Sequence, residues 1–360
     1  MKTRPSILIG PSIRGDVKVT RRNVLTGEID LVIEKKNMLL SGLYQDSSSG
    51  LFTNTFDYNV TPIAVADRSH SITSNGAMHS CSIGTSNVPP TRSDTGIKGT
   101  ILATSTQGTT VAYSPYGTYP VYLTRKWEFP AGEGTGNIGE VFLKATKGSF
   151  GYSAWFEQAV ARQVFDPVIE KTDYHELTVE WTITMTTVPM EGDIPNGQRD
   201  GSTTVHWKSF INNRQLWAWA FGNYVISSYY PSGAIRFTPI SGAPTGDIPP
   251  YFVITGDSNV DSDLENDLHN TLKGNQLYSG FLQLSTTNSY ITDSYYRDFR
   301  LGFDVSQSNG QIGELLLRCR NSYSNDRDEE YICRITFDPP LDKTNKYQLY
   351  LDLRLGFNLS

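Results

Sequence analysis

Cysteine is scarce: Cys81, Cys319 and Cys333 are the only three in 360 residues. They are too few and too scattered for a disulfide framework or a zinc cage. We read them as buried free thiols, with a Cys319–Cys333 bridge as the alternative. Long apolar runs are missing too. None approaches the about 20 residues that a membrane helix needs, so no membrane insertion is expected. The apolar run at 7–10, in "MKTRPSILIGPSIRGD", is too short for a secretory signal, which predicts a chain made in a cytoplasm. Charged residues make up 19% of the chain, with a formal net charge of −6. That balance opposes a broad basic surface for nucleic acid. The five histidines, His70, His79, His175, His206 and His269, show no paired metal spacing.

What is plentiful points to strands. The chain has 20 Tyr, 16 Phe, 31 Gly and 18 Pro, a composition that suits β-sheet and supplies many turns. It also repeats itself. "FDPVIEKT" at 165–172 returns as "FDPPLDKT" at 337–344, an offset of 337 − 165 = 172. "SNV" at 86–88 returns at 258–260, an offset of 258 − 86 = 172. "HELTVEWTI" from His175 aligns with "YQLYLDLRL" from Tyr347, again at 347 − 175 = 172. "IGE" at 138–140 returns at 312–314, an offset of 312 − 138 = 174. Ordered anchors at nearly one spacing indicate a tandem duplication. The polar stretch "MEGDIPNGQRDGST" at 190–203 reads as the junction. The expected architecture is all-β, two tandem antiparallel β-sandwich domains with little helix. They would occupy 1–190 and 204–360, with a linker at 191–203 and a diverged second copy.

Pattern within the copies agrees. Leu177, Val179, Trp181 and Ile183 alternate, as do Leu349, Leu351, Leu353 and Leu355, so each run predicts a strand with one buried face. Residues 17–20 and 29–33 flank Asn23 and Gly27 and predict a hairpin. Residues 160–165 read as a strand because their partner run, "EYICRITF", is β-branched and alternating. Only 261–272 offers a short helix. "RKWEF" with "IGEVFL", and "FRLGF" with "IGELLL", are expected to form one hairpin per copy. Gly139 and Gly313 would mark the strand entry, and Glu140 and Glu314 would hold backbone donors or an Arg at the sheet rim.

No catalytic constellation stands out, and neither catalytic nor cofactor-binding residues are assigned. "GEGTG" at 132–136 precedes a strand, whereas a phosphate loop precedes a helix. Asp257, Asn259, Asp261 and Asp263 alternate like calcium ligands. Ser262 stands where such a loop has Gly, however, and Leu268 where it has Glu, so a solvated loop is the plainer reading. The aromatic stretch 206–230 contains Trp217, Trp219, Tyr229 and Tyr230. These side chains either fill a core or form an exposed strip for a sugar or a partner.

Residues 17–185 resemble structural proteins of tailed-bacteriophage virions. The resemblance rests on "VLTGEIDLVIEKKNMLLSGL", "CSIGTSNVPPTRSDTGI", "RKWEFPAGEGTGNIGEVFL" and "IEKTDYHELTVEWTIT". The second half departs from it at the "PPTRSDT" segment. The resemblance implies a non-enzymatic virion protein of the tail, baseplate or fibre region. Other virion proteins, and the chain itself in a ring or trimer, would be its partners. A receptor-binding adhesin for a host surface glycan and a head or collar decoration protein are the alternatives.

Overall fold

The computed structural model describes residues 7–10, 12–40, 76–106, 108–114, 119–148, 155–186, 190–195, 204–211, 251–255, 276–281, 296–306, 309–319, 330–346, 348–356 and 358–359. These residues hold nineteen strands and no helix. No helix among them is long and apolar enough to cross a membrane.

The expected hairpin at 17–33 is present as β2 (Ser12–Asn23) and β3 (Ile29–Leu39). Asn23 accepts the amides of Leu25 and Thr26 through its side chain, and Gly27 turns the chain at φ 76°. Beside β2 lie β10 (His175–Thr186), β7 (Val121–Phe129) and the edge strand β6 (Thr109–Tyr113). A second layer contains β5 (Ile101–Ser105), β4 (Gly76–Gly84), β8 (Gly136–Gly148) and β9 (Trp155–Lys171). The layers join where the end of β3 meets β9, at Met38↔Arg162 and Leu39↔Ala161.

Period-two alternation drives this sandwich. Leu177, Val179, Trp181, Ile183 and Met185 of β10 are all fully buried. They share one core with Leu123 and Trp127 of β7 and with Ile83, Val141 and Phe165 of the other layer. Burying each such side chain contributes roughly 1.5–3 kcal/mol. Polar side chains pair across the outer faces, as in Thr124–Thr182 and Ser82–Thr104, both at 2.8 Å.

The later part of the chain repeats the strand order. Its six-stranded sheet runs β11 (Met190–Pro195), β12 (Thr204–Ile211), β17 (Glu330–Lys343), β16 (Gly310–Cys319), β13 (Tyr251–Thr255), β14 (Gln276–Phe281). The first half has β2, β3, β9, β8, β4, β5 in that order. β15 (Tyr296–Phe303) pairs antiparallel with β18 (Leu349–Gly356), as β7 pairs with β10. The 172 offset recurs in the pairing, since Phe210↔Arg334 answers Met38↔Arg162.

The chain ends tie the halves together. β1 (Ile7–Ile9) lies parallel to β18, and β19 (Asn358–Leu359) lies parallel to β2. The offset is 353 − 7 = 346 in the first pairing and 358 − 12 = 346 in the second, so one register crosses the junction. Buried apolar residues from both halves form a single cluster.

Two expectations need correction. β7 and β8 do not form a hairpin: β7 pairs with β10 and β6, and β8 with β4 and β9. The same holds for β15 and β16. Gly139, Glu140, Gly313 and Glu314 therefore mark a crossover between layers. Inward apolar faces pair equally well across a sandwich as within a sheet, so alternation alone cannot separate the two. Gly132, Gly134 and Gly136, all at positive φ, let the chain swing over in the first half. Second, residues 191–195 of the expected linker belong to β11, which pairs with β12. Cys81 and Cys333 are buried free thiols, as expected, and the alternative bridge from Cys333 to Cys319 is not formed.

Candidate functional site

The "IGE" motif sits in a β-bulge in both halves. On β8 the pairing jumps from Ile138↔Ile169 to Glu140↔Val164, and on β16 from Ile312↔Leu341 to Glu314↔Thr336. In each case the partner strand skips four residues that begin Phe-Asp-Pro, 165–168 or 337–340. The Asp166–Pro167 and Asp338–Pro339 peptide bonds are both cis.

Ile138 and Val141 both line the core, so across the irregularity Glu140 falls on the other face of β8, where it is fully buried. Its Oε2 accepts from Arg162 Nε at 2.7 Å, and Arg162 is equally buried. Its Oε1 accepts the backbone amides of Gly99 at 2.8 Å, Lys98 at 3.2 Å and Ser86 at 3.3 Å. Arg162 also donates Nη1 to Asp94 at 2.9 Å. Asp94 in turn accepts from the Thr91 amide at 3.0 Å and hydroxyl at 2.7 Å, and pairs with Lys98 at 3.1 Å. The segment "TSNVPPTRSDTGIKGT" is thus fastened over the end of the sandwich by one carboxylate and one guanidinium. Gly139 permits the close approach, because a Cβ there would meet the backbone oxygens of Thr85 and Ser86 at 2.6 Å.

The electrostatics follow from this geometry. Burial alone would raise the Asp94 carboxyl. The Thr91 amide and hydroxyl, Lys98 and Arg162 outweigh burial and hold it at about 2. Burial pushes the Cys81 thiol up to about 12 and the Cys333 thiol up as well, so neither thiol is an activated nucleophile.

Two features of this framework recur in the second half. Arg334 Nε meets Glu314 Oε1 with both side chains largely buried. Lys171 and Lys343, at 343 − 171 = 172, are both nearly excluded from solvent. Lys171 Nζ donates to the carbonyls of Pro130 and Glu133, at 2.8 and 2.6 Å, and so clamps the β7–β8 crossover. Lys343 Nζ reaches Asn309 Oδ1 at 3.2 Å, between β15 and β16, and the Thr344 carbonyl at 3.0 Å. Burial lowers the pKa of both lysines.

Chemically, these groups are occupied with one another, and their arrangement positions backbone. Asp94, Arg162, Lys171 and Lys343 were not singled out in the sequence reading, although Arg162/Arg334 and Lys171/Lys343 repeat at the 172 spacing. Trp217, Trp219, Tyr229, Tyr230, Asp257, Asn259, Asp261 and Asp263 lie outside the described residues, as does the short helix expected at 261–272. No cluster of three or more His, Cys, Asp or Glu suited to a metal ion occurs among the described residues. Compared with protein-family models, curated proteins and solved structures, the chain matches none.

Proposed function

We propose that the chain is a non-enzymatic structural protein of a tailed-bacteriophage virion, associated with the tail, baseplate or fibres. In this reading it arose by tandem duplication of a β-sandwich and is made in the bacterial cytoplasm. Its partners are other virion proteins and further copies of itself, in a ring or trimer. It needs no cofactor and binds neither nucleic acid nor membrane. The observation that carries the reading is the paired framework: one strand order, one bulge, a buried Glu–Arg pair and a buried Lys, in each half. The resemblance of residues 17–185 to virion proteins supports it independently. A doubled domain suits a symmetric particle, because three chains present six similar sandwiches and so bridge rings of unequal symmetry. Mass spectrometry of purified particles tests this. The chain should be present in a fixed ratio to the other structural proteins, and its absence from the particles ends the reading.

The second reading is a receptor-binding adhesin. It is favoured by the aromatic stretch with Trp217, Trp219, Tyr229 and Tyr230, since aromatic faces stack on sugars. A glycan array and a host-cell binding assay, both silent, would remove it. Collar or head decoration is the remaining placement, and immunogold labelling of particles separates it from the tail.

A further inference from the structure

We propose that the outer edge of β3 is a docking edge for a second copy of this chain, joined antiparallel about a two-fold axis through Ile33. The proposal does not rest on a place in a virion. One side of β3 pairs with β2 from Asn37 back to Ile29. On the other side only Met38 and Leu39 are paired, to β9. Residues 29–36 thus present an edge that no other described strand covers.

The equivalent strand of the second half shows what this backbone can do. His206–Ile211 of β12 pairs residue for residue with Asp338–Cys333 of β17. At the 172 offset, His206 to Ser209 answer Glu34 to Asn37, so positions paired in one half have no described strand partner on that side in the other. The open strand is also unusually apolar for its exposure. Ile29 is 60% exposed and Val32 51%, while Leu31 and Ile33 pack partly against the core.

Its charges choose the occupant. Charges on an edge ordinarily keep strands apart. Here the sign changes along the strand, with Asp30 early and Glu34, Lys35 and Lys36 late. Within the chain Asp30 also meets Arg21 and His175, and Glu34 meets Lys18, as exposed pairs that a second copy would share. Asp30, Val32, Glu34 and Lys36 share the exposed face. In an antiparallel pair centred on Ile33, Asp30 of one copy lies opposite Lys36 of the other, and Val32 opposite Glu34. A parallel pair sets Asp30 on Asp30, Glu34 on Glu34 and Lys36 on Lys36. Cross-strand pairs of opposite charge stabilise a sheet and like pairs destabilise it. The bulge at Asp30, where the β2 partner shifts from Arg21 to Arg22, ends the regular edge and fixes its length.

One strand edge falls short of the roughly 1,200 Å² of a stable interface, so the dimer should be weak and concentration-dependent. Sedimentation equilibrium of the full chain, from about 10 μM to about 1 mM, reads it over the range expected for so small a contact. Val32 is exposed and faces Glu34 of the partner twice per dimer, which makes it a probe that spares the fold. Val32→Lys should tighten self-association about tenfold, and Val32→Glu should weaken it by a similar factor. Circular dichroism of both variants should match the parent. A chain that stays monomeric to the top concentration overturns the proposal. So does a dimer indifferent to both substitutions, which would use another surface. Equal weakening by Lys and Glu would also overturn it, because that result denies the charge register.

Discussion

Glu140 Oε2 and Arg162 Nε lie 2.7 Å apart, and neither side chain has any solvent exposure. A buried pair of this kind adds little over a well-packed apolar pair, yet losing one partner strands the other. Glu140→Ala should therefore cost about 3–5 kcal/mol. Glu140→Ala with Arg162→Met should cost clearly less than the two single losses added together. Urea denaturation of all four proteins measures this, and strict additivity would show that the pair is not coupled.

Asp94 makes the same corner sensitive to acid. Its folded carboxyl is depressed to about 2, against about 3.9 in an unfolded chain. A depressed acid contributes stability that is full above pH 4 and lost as pH falls towards 2. The contribution is roughly 2 kcal/mol. Asp94→Asn should remove it, so the stabilities of parent and variant should converge between pH 4 and pH 2. Parallel curves across that window would exclude the role given to Asp94.

Gly139 tests the close approach of the fastened segment. A methyl at 139 meets backbone oxygens of Thr85 and Ser86 at 2.6 Å, whereas one at Gly96 meets nothing within 4 Å. Gly139→Ala should destabilise by about 1–3 kcal/mol and open residues 85–100 to limited proteolysis. Gly96→Ala should do neither. Equal behaviour of the two variants would refute the packing.

The strand pairing of the chain ends can be tested by truncation. Removing residues 1–10 takes β1 away from β18. Amide exchange in 349–356 should rise, while β7 and β10 keep their protection because their pairing is untouched. A uniform rise across both halves would mean that β1 stabilises the whole molecule and not the second sheet.

Most of the strands were legible in the sequence, and their neighbours were not. Leu177, Val179, Trp181 and Ile183 announce a half-buried strand because side chains alternate between the two faces. The same alternation in β7 and β8 fits a hairpin and a crossover equally, and the hydrogen bonds decide for the crossover. β1 was invisible for another reason: "ILI" is too short to show any period. Glu140 was found because "IGE" recurs. Its donors, the amides of Ser86, Lys98 and Gly99, were hidden because an amide carries no signature in the sequence. Arg162 and Lys171 lay within reach of the 172 spacing, since "AR" and "CR", and "EKT" and "DKT", occupy matching positions.

The single register shared by the two chain ends has a consequence for biosynthesis. Ile7 can find Leu353 only after 346 further residues have been made. At about 5–20 residues per second, translation takes roughly 20–70 seconds to cover that distance. Throughout that time the apolar strand Ile7–Ile9 lacks the strand it pairs with. A segment made long before β18 is thus strand-paired only after β18 exists, and until then it is a natural client for a chaperone.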